Sequence, residues 1–556
     1  MRKIRLFFFL LHVFDITISW SQDRTVGLVD YSPMVSDGYL LLSSTHSSNS
    51  YLLNTCGEVV HIWYSDYFPG NTVRLMPDGN LLRATKTKSS FFLAGGAGGR
   101  IEILDWDSNL LWEYTYSTES YRHHHDVVDL PNGNILILAW DRRSKETALQ
   151  AGRNPDNLGN INEDVWGEHV LEIKPMGTNE FEIVWEWYLW DHLIQDFDET
   201  QDNFGVVEQH PELVDINYDV DQGNPDWIHA NGIDYNAALD QVVISSRNLS
   251  EFWVIDHSTT TEEAKSHTGG NSGMGGDIIY RFGNPQVSRQ EGSQELFSQH
   301  HVNWAKLNGR DDVLTLFNNG NDRVPQYSSV DFYLTPFSAS EMQYERSGSS
   351  YSDPKLLLTY RSDEIEQFNY SNFLSGVQLL PDGHILICSG STGSIIELDT
   401  NGTVVWQYIN PITSSGIKEQ GFDIINTAGI SNLVFRAYKY ELDYPAFLNK
   451  QFTNNSELEA NPFPLSLCDE VLDVEGFRQS VVEIYPNPTS NFINIVGADN
   501  NISQVVLRNL QQADVLNISD NDIPSILDLN CLDPGLYFLN LYTKKGDLIV
   551  EKLIKK

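Results

Sequence analysis

A strand–turn–strand unit repeated through most of the chain, a Trp-bearing strand that follows it, and an unrelated run of alternating strands at the end predict an all-β protein. The expected architecture is a six-bladed β-propeller followed by a small C-terminal β-sandwich. The repeated unit reads as apolar strand, Pro-Asx-Gly turn and apolar strand in RLMPDGNLLRA from Arg74, DLPNGNILILA from Asp129 and QLLPDGHILICSG from Gln378. Its Asp-Gly or Asn-Gly pair supplies the positive-φ positions of a tight hairpin. The second pattern, an acidic strand leading to a turn and a Trp, recurs in YLLNTCGEVVHIW from Tyr51, IEILDWDSNLLWEY from Ile101, VLEIKPMGTNEFEIVWEW from Val170 and IIELDTNGTVVWQY from Ile395. The stretch from Asp226 to Arg247 and the one opening at His301 supply further hairpins, so residues 34–450 are expected to hold six units of four short strands. Helical periodicity is scarce throughout.

At the N-terminus, Arg2, Lys3 and Arg5 precede an apolar run from Leu6 to Phe14 and then small residues at Ser19 and Ser21. That charge–apolar–small order predicts a secretory signal over residues 1–21. The run falls short of the ~20 apolar residues a membrane span needs, Asp15 interrupts it, and no later segment has transmembrane character. A formal net charge of −40 at pH 7 excludes nucleic acid as a natural partner. It also requires that any anionic substrate be held by local positive groups. Cys56, Cys388, Cys468 and Cys531 are too few and too scattered for a disulfide-built scaffold. Cys56 and Cys388 fall in the first and last repeated units, neighbours in a closed ring, and are expected to bridge the closure.

Between Ile194 and Asp226 an insert rich in Asp and Glu interrupts the third unit. It lacks the ligand spacing of a calcium loop and is expected to be a solvated loop with the length of a lid. Residues 451–480 read as a polar linker. Residues 481–556 carry alternating strands, VEIYPNPTSNFINI, QVVLRNL and PGLYFLNLYTKKGDLIVEKLIKK, that suit a compact β-sandwich.

Three polar clusters open inner strands of successive units: Arg122-His-His-His-Asp126, Asp226-Trp-Ile-His-Ala-Asn231 and Gln299-His-His-Val-Asn-Trp304. Equivalent blade positions converge on the central channel, so His124 or His125, His229, and His300 or His301 are expected to meet there. His229 and Asn231 lie two residues apart on one side of an extended segment, and Arg247 ends the same hairpin. A neutral base, an amide and a fixed cation suit an oxyanion.

These motifs resemble the arylsulfotransferase family, six-bladed propeller enzymes of bacterial periplasm and surface that move a sulfuryl group between phenols without a nucleotide cofactor. The resemblance covers about Asp37 to Phe447. It rests on His-His-Asp before a Pro-Asn-Gly turn, His-x-Asn followed by Arg at the hairpin end, and Gln-His before a strand ending in Phe317-Asn-Asn-Gly320. It implies that His300 is the transiently sulfated nucleophile, with adjacent His301 the competing choice, and that His229, Asn231 and Arg247 clamp the sulfuryl group. It further implies that His125 or His124 is an acid–base or binding group, that Asn303 and Asn319 contact substrate, and that no cofactor or metal is needed. Phenols and aryl sulfates are the implied small-molecule partners. The tail resembles the C-terminal sorting domain of type IX secretion cargo, through Tyr485-Pro-Asn-Pro-Thr489 and Pro534-Gly-Leu-Tyr537. That implies the type IX machinery as a partner and a secreted or cell-surface location in a Gram-negative bacterium.

Two other readings of the same residues stand beside this one. His124, His125, His229 and His300 could hold a metal in a hydrolase or lyase, although Arg247 argues against a cation there. A surface-displayed binding propeller is the non-enzymatic alternative. It requires aromatic residues along the channel and dispensable histidines.

Overall fold

The computed structural model describes residues 24–556 apart from 160–163, 219–222, 425–426, 453–455, 464–466, 469–482, 486, 497–501, 510–512, 520–525, 531 and 545–547. The expected secretory signal lies outside the described residues. The chain divides into two compact units, residues 1–467 and 468–556.

The described residues of the first unit form six antiparallel sheets of four or five strands, together with three short two-stranded ribbons and one two-stranded parallel pair. The innermost strands of the six sheets are Val434–Tyr440, Pro69–Leu75, Tyr121–Asp129, Ala230–Asn236, His300–Leu307 and Gly376–Leu379, and each neighbours the next in that cyclic order. This is the radial, propeller-like arrangement that the repeats predict. The apolar core is correspondingly divided into layers between sheets. Along Gln241–Ser246, Val242 and Ile244 pack with Leu136 and Leu138 of the preceding sheet, while Val243 packs with Leu314 and Leu316 of the following one. Successive side chains on a strand point to opposite faces, so each apolar strand fills two layers and the axis is left to polar residues.

The repeated Trp fastens one sheet to the next. Trp112 Nε1 donates to the Glu180 carbonyl at 2.8 Å, Trp187 to the Gly276 carbonyl at 2.7 Å, and Trp406 to the Thr55 carbonyl at 2.8 Å, each acceptor lying in a strand of the following sheet or in a segment flanking one. The last of these joins the sixth sheet to the first.

Chain closure differs from the sequence expectation. Strand Gly27–Tyr31, ahead of the boundary expected at residue 34, pairs with Val404–Ile409 on the outer edge of the last sheet. Strand Val434–Tyr440 pairs with Tyr39–Ser44 on the inner edge of the first. Cys56 is disulfide-bonded, whereas Cys388 is a free thiol. The expected Cys56–Cys388 bridge is therefore absent. Cys56 lies in the turn between the two outer strands of the first sheet, while Cys388 is buried in the second strand of the last, where burial pushes its thiol up to about 12.

The acidic insert is more firmly packed than a solvated loop. Leu193–Ile194 pairs with Val214–Asp215, and buried Asp215 accepts from Arg289 Nη2 at 3.1 Å while Asp196 takes the other side of the same guanidinium. One cation bridges both carboxylates.

In the second unit a three-stranded and a four-stranded sheet enclose a core in which Ile493 and Ile495, Val505 and Leu507, and Leu539 and Leu541 alternate inward.

Candidate active site

The inner strands present their polar side chains through a shared irregularity. Asn71, His125, His229, His301 and Ser375, within or immediately before inner strands, have positive φ values of 100°, 49°, 48°, 51° and 92°. The ladder register slips beside the first four of them. A bulge of this kind turns a side chain that the pleat would bury between sheets toward the axis, at a local cost of about 1–3 kcal/mol.

The three histidine clusters meet. His125 lies edge-on to His229 with ring centroids 4.8 Å apart, and its Nδ1 is 2.9 Å from Nδ1 of His124. His124 stacks on Trp140 at 4.1 Å and places Nε2 3.0 Å from Glu168 Oε2. Burial lowers His124 to about 3 and holds His125 well below its usual range, the His229 and His124 rings adding to the effect on His125. Burial, with the Asp226 carboxylate second, raises Glu168 well above the usual carboxylate range. His125 is thus the ring in contact with His229, and His124 stands behind it.

His229 holds Nδ1 2.5 Å from Asp226 Oδ2, while Asp226 Oδ1 accepts the Trp140 indole N–H at 2.9 Å. In the neutral ring a carboxylate so placed keeps the proton on Nδ1 and leaves Nε2 as the lone-pair nitrogen. Arg247 donates to Asn248 Oδ1 at 2.9 Å and forms no ion pair among the described residues. Both residues line an open cavity of about 840 Å³. Phe91, Trp166, Tyr218 and Phe297 give that cavity an aromatic wall, as either an aryl substrate or a binding propeller would require.

His300 is buried beside this wall. Asn319 Nδ2 donates to the Ser371 and Leu374 carbonyls, so its Oδ1 is the atom 2.7 Å from His300 Nδ1. An amide oxygen only accepts; His300 therefore carries its proton on Nδ1 and its lone pair on Nε2. The Leu374 N–H donates to that Nε2 at 3.2 Å. Burial first, and then the Arg247 cation, hold His300 well below its ordinary value and so neutral. His301 points elsewhere: its Nδ1 accepts the Val377 N–H at 3.1 Å and its ring meets Tyr438 edge-on.

The remaining amides are committed to the protein. Asn231 Nδ2 donates to the Gln299 carbonyl at 2.7 Å and Asn303 Nδ2 to the His301 carbonyl at 2.9 Å. Neither these two nor Asn319 lines the cavity.

Four residues at the centre escaped the sequence reading. Glu168 and Trp140 sit in ordinary strand patterns, and Arg436 lies in the last inner strand with no motif around it. Arg436 pairs with Asp126 at 2.6 Å and donates to the Asn231 carbonyl at 3.1 Å, tying three inner strands together. Asp226 lay inside a recognised stretch but had no role there. The run Gly95-Gly-Ala-Gly-Gly99 was a usable signal, because Gly96 lies directly against the His125 ring.

The histidines do not converge on a single point, as a metal centre would demand. Among the described residues, three potential ligand atoms lie within 4.8 Å of one another only at His192, His267 and Asp277.

A model of the family described as arylsulfotransferase (ASST) matches residues 24–419. The chain belongs to the arylsulfotransferase family. Residues 483–556 of this arylsulfotransferase match the secretion system C-terminal sorting domain. No helix among the described residues is long and apolar enough to cross a membrane. No curated protein sequence matches the arylsulfotransferase chain. Similar solved structures include a protein of unknown function from Bacteroides caccae (11% identity, TM-score 0.37, 73% of this chain and 99% of that chain). Others are virginiamycin B lyase from Staphylococcus aureus (9% identity, TM-score 0.31, 69% and 88%) and hydrazine synthase from Kuenenia stuttgartiensis (15% identity, TM-score 0.29, 52% and 67%).

Proposed function

We propose that this arylsulfotransferase carries a sulfuryl group from a phenolic sulfate ester to a phenol in two half-reactions, through a sulfated His300 and without a nucleotide. The observation that carries the reading is Arg247: in a chain of net charge −40 its guanidinium lines the cavity with no ion-pair partner among the described residues, beside His229 and close enough to buried His300 to hold that ring neutral. A planar fork of donors that cannot lose its charge suits the equatorial oxygens of a sulfuryl group in flight. His229 completes the clamp, and Asn231 and Asn319 act as positioning residues, the latter by fixing the His300 tautomer.

In the first half-reaction His300 Nε2 attacks sulfur, the S–O(aryl) bond breaks with its electron pair on the phenolate, and His125 Nε2–H protonates that oxygen. In the second, His125 takes the proton of the acceptor phenol while its oxygen attacks the sulfohistidine and the N–S bond breaks. Glu168, His124 and His125 form a chain suited to that alternation. With Glu168 protonated, its O–H donates to His124 Nε2, His124 Nδ1–H donates to His125 Nδ1, and His125 offers Nε2–H. After one proton leaves from His125, each remaining proton shifts along the chain and Glu168 becomes the carboxylate. Splitting the transfer this way makes two easier steps of one difficult one. Export by a secretory signal and the type IX machinery would place the reaction at the cell surface.

A second reading makes His229 the attacking ring. It is favoured by the Leu374 N–H that occupies His300 Nε2, a contact that must open before His300 can attack, whereas His229 Nε2 has no hydrogen-bond partner among the described residues. Incubation with a coloured aryl sulfate in the absence of acceptor, followed by peptide mass mapping, tests both. One sulfuryl increment on the peptide holding His300, ping-pong kinetics, and a folded but inactive His300→Ala support the proposal. An increment on the His229 peptide moves the nucleophile, and full activity in His300→Ala, His301→Ala and their double variant ends the assignment to either ring and leaves a sulfohistidine only at His229.

A further inference from the structure

We infer that His192, His267 and Asp277 form a site for a divalent transition-metal ion of the zinc class, bracing the outer edges of two neighbouring sheets away from the histidine cluster. His192 follows the outermost strand of the third sheet, and Asp277 immediately precedes Ile278–Phe282, the outermost strand of the fourth. His267 comes from the loop after the short helix Thr261–Ala264. Nδ1 of His192 and Nδ1 of His267 each approach the same oxygen, Asp277 Oδ1, at 2.8 Å.

His192 Nε2 is 2.9 Å from the Ala264 carbonyl, which can only accept, so Nε2 bears the ring proton. In the neutral ring Nδ1 is then a bare lone pair aimed at a carboxylate oxygen, two acceptors facing one another. A cation ligated by both atoms from one side resolves the contact. An imidazole whose far N–H is held by a backbone carbonyl is the usual support of a metal-bound histidine. The site is also rigid: His192 lies parallel to Trp187 at 5.5 Å, and the Trp187 indole donates to the carbonyl of Gly276, next to Asp277. Gly276 has to be a glycine here, because a Cβ would stand 2.0 Å from the Ala264 carbonyl oxygen and 2.7 Å from His192 Nε2.

Access is present as well. His267 and Asp277 border an open cavity of about 890 Å³ whose lining also carries the exposed Glu341 and Glu345, with Glu212 paired to Arg346, and it leaves room for water in a fourth position. Two imidazole nitrogens and one carboxylate oxygen match zinc better than calcium or magnesium, which take oxygen ligands.

The full-length chain, stripped with a chelator, is titrated with Zn²⁺ in a calorimeter and melted with and without the ion. The expected result is one equivalent bound and a higher melting temperature. Both effects should be weakened more than about 100-fold in affinity by His267→Gln and left unchanged by His229→Gln. His267 is largely exposed, so its variant keeps the fold and far-UV circular dichroism checks that it does. Absence of stoichiometric binding, which would leave a proton on His192 Nδ1, overturns the inference. So does binding that survives His267→Gln or disappears in His229→Gln.

Discussion

Glu168 is the residue at which shape and protonation can be separated. Its Oε1 accepts the Ala230 N–H at 2.8 Å, leaving only Oε2 for His124. In Glu168→Gln the amide nitrogen takes the Oε2 place, donates permanently to His124 Nε2, and locks His125 in its Nε2–H form. The protein should remain folded and still react with donors whose phenols leave easily. Donors with poor leaving groups should slow by about 10²- to 10⁴-fold, because the proton given up by His125 cannot be replaced along the chain. Rates across a series of aryl sulfates check this. Equal losses for all leaving groups would reduce Glu168 to a structural role.

At the scale of elements, the histidine strands depend on a second segment that comes very close. The His125 N–H donates to the Gly96 carbonyl at 2.8 Å, and a Cβ on Gly96, whose φ is +77°, would fall 1.9 Å from His125 Cε1. Gly96→Ala should therefore displace His125, break its contact with His124 and cost roughly 2–5 kcal/mol through combined backbone strain and overpacking. Thermal melting and sulfuryl-transfer rates report the two consequences together. An unchanged melting temperature with full activity would show that the loop yields and the close approach is not required.

For the whole molecule the buried imidazoles set the response to acid. His123, His124, His125, His300 and His301 are all held below the ordinary value of 6.5, chiefly by burial, with His123 and His124 near 3. Unfolded, these rings bind protons below 6.5, and folded they do not. Their contribution is complete above 6.5 and is lost as pH falls toward about 3. Five rings at about 1.4 kcal/mol per pH unit each give a slope of at most about 7 kcal/mol per unit. Glu168, raised by burial, works in the other sense: its contribution is present below 4.5 and is lost as pH rises through its folded value. His257 acts likewise. Burial tends to lower it, but hydrogen bonds to Asp240 and Glu172 prevail and raise it to about 9, so its share is complete below 6.5 and is lost as pH rises through 9. Urea unfolding across pH should accordingly show a maximum between these limits and a steep acid limb; a flat acid limb would mean that the rings titrate in place. The second unit has its own core and two sheets, so deletion of residues 481–556 should leave sulfuryl transfer within about twofold of the full chain while abolishing surface delivery. A soluble but inactive truncation would count against independent folding.

The all-β class, the repeated hairpins and the polar clusters at inner strands were legible in the residues, because turn chemistry and period-2 alternation are local and recur with each copy. The sequence also placed His229 and Arg247 on one hairpin and set His300 apart from His301 on a strand whose neighbours face opposite ways. What it could not decide is which ring turns to the axis, since that depends on bulges and positive φ angles created where strands of different sheets meet. Partners distant in sequence were invisible for the same reason: Glu168 behind His124, Asn319 on His300 and Arg436 on Asp126 come together only when the sheets close into a ring. The bridge expected between Cys56 and Cys388 failed on the same ground. Neighbouring units in a ring share an interface, but the radius and face at which a side chain stands within it are properties of the packed sheets, not of the order of residues along the chain.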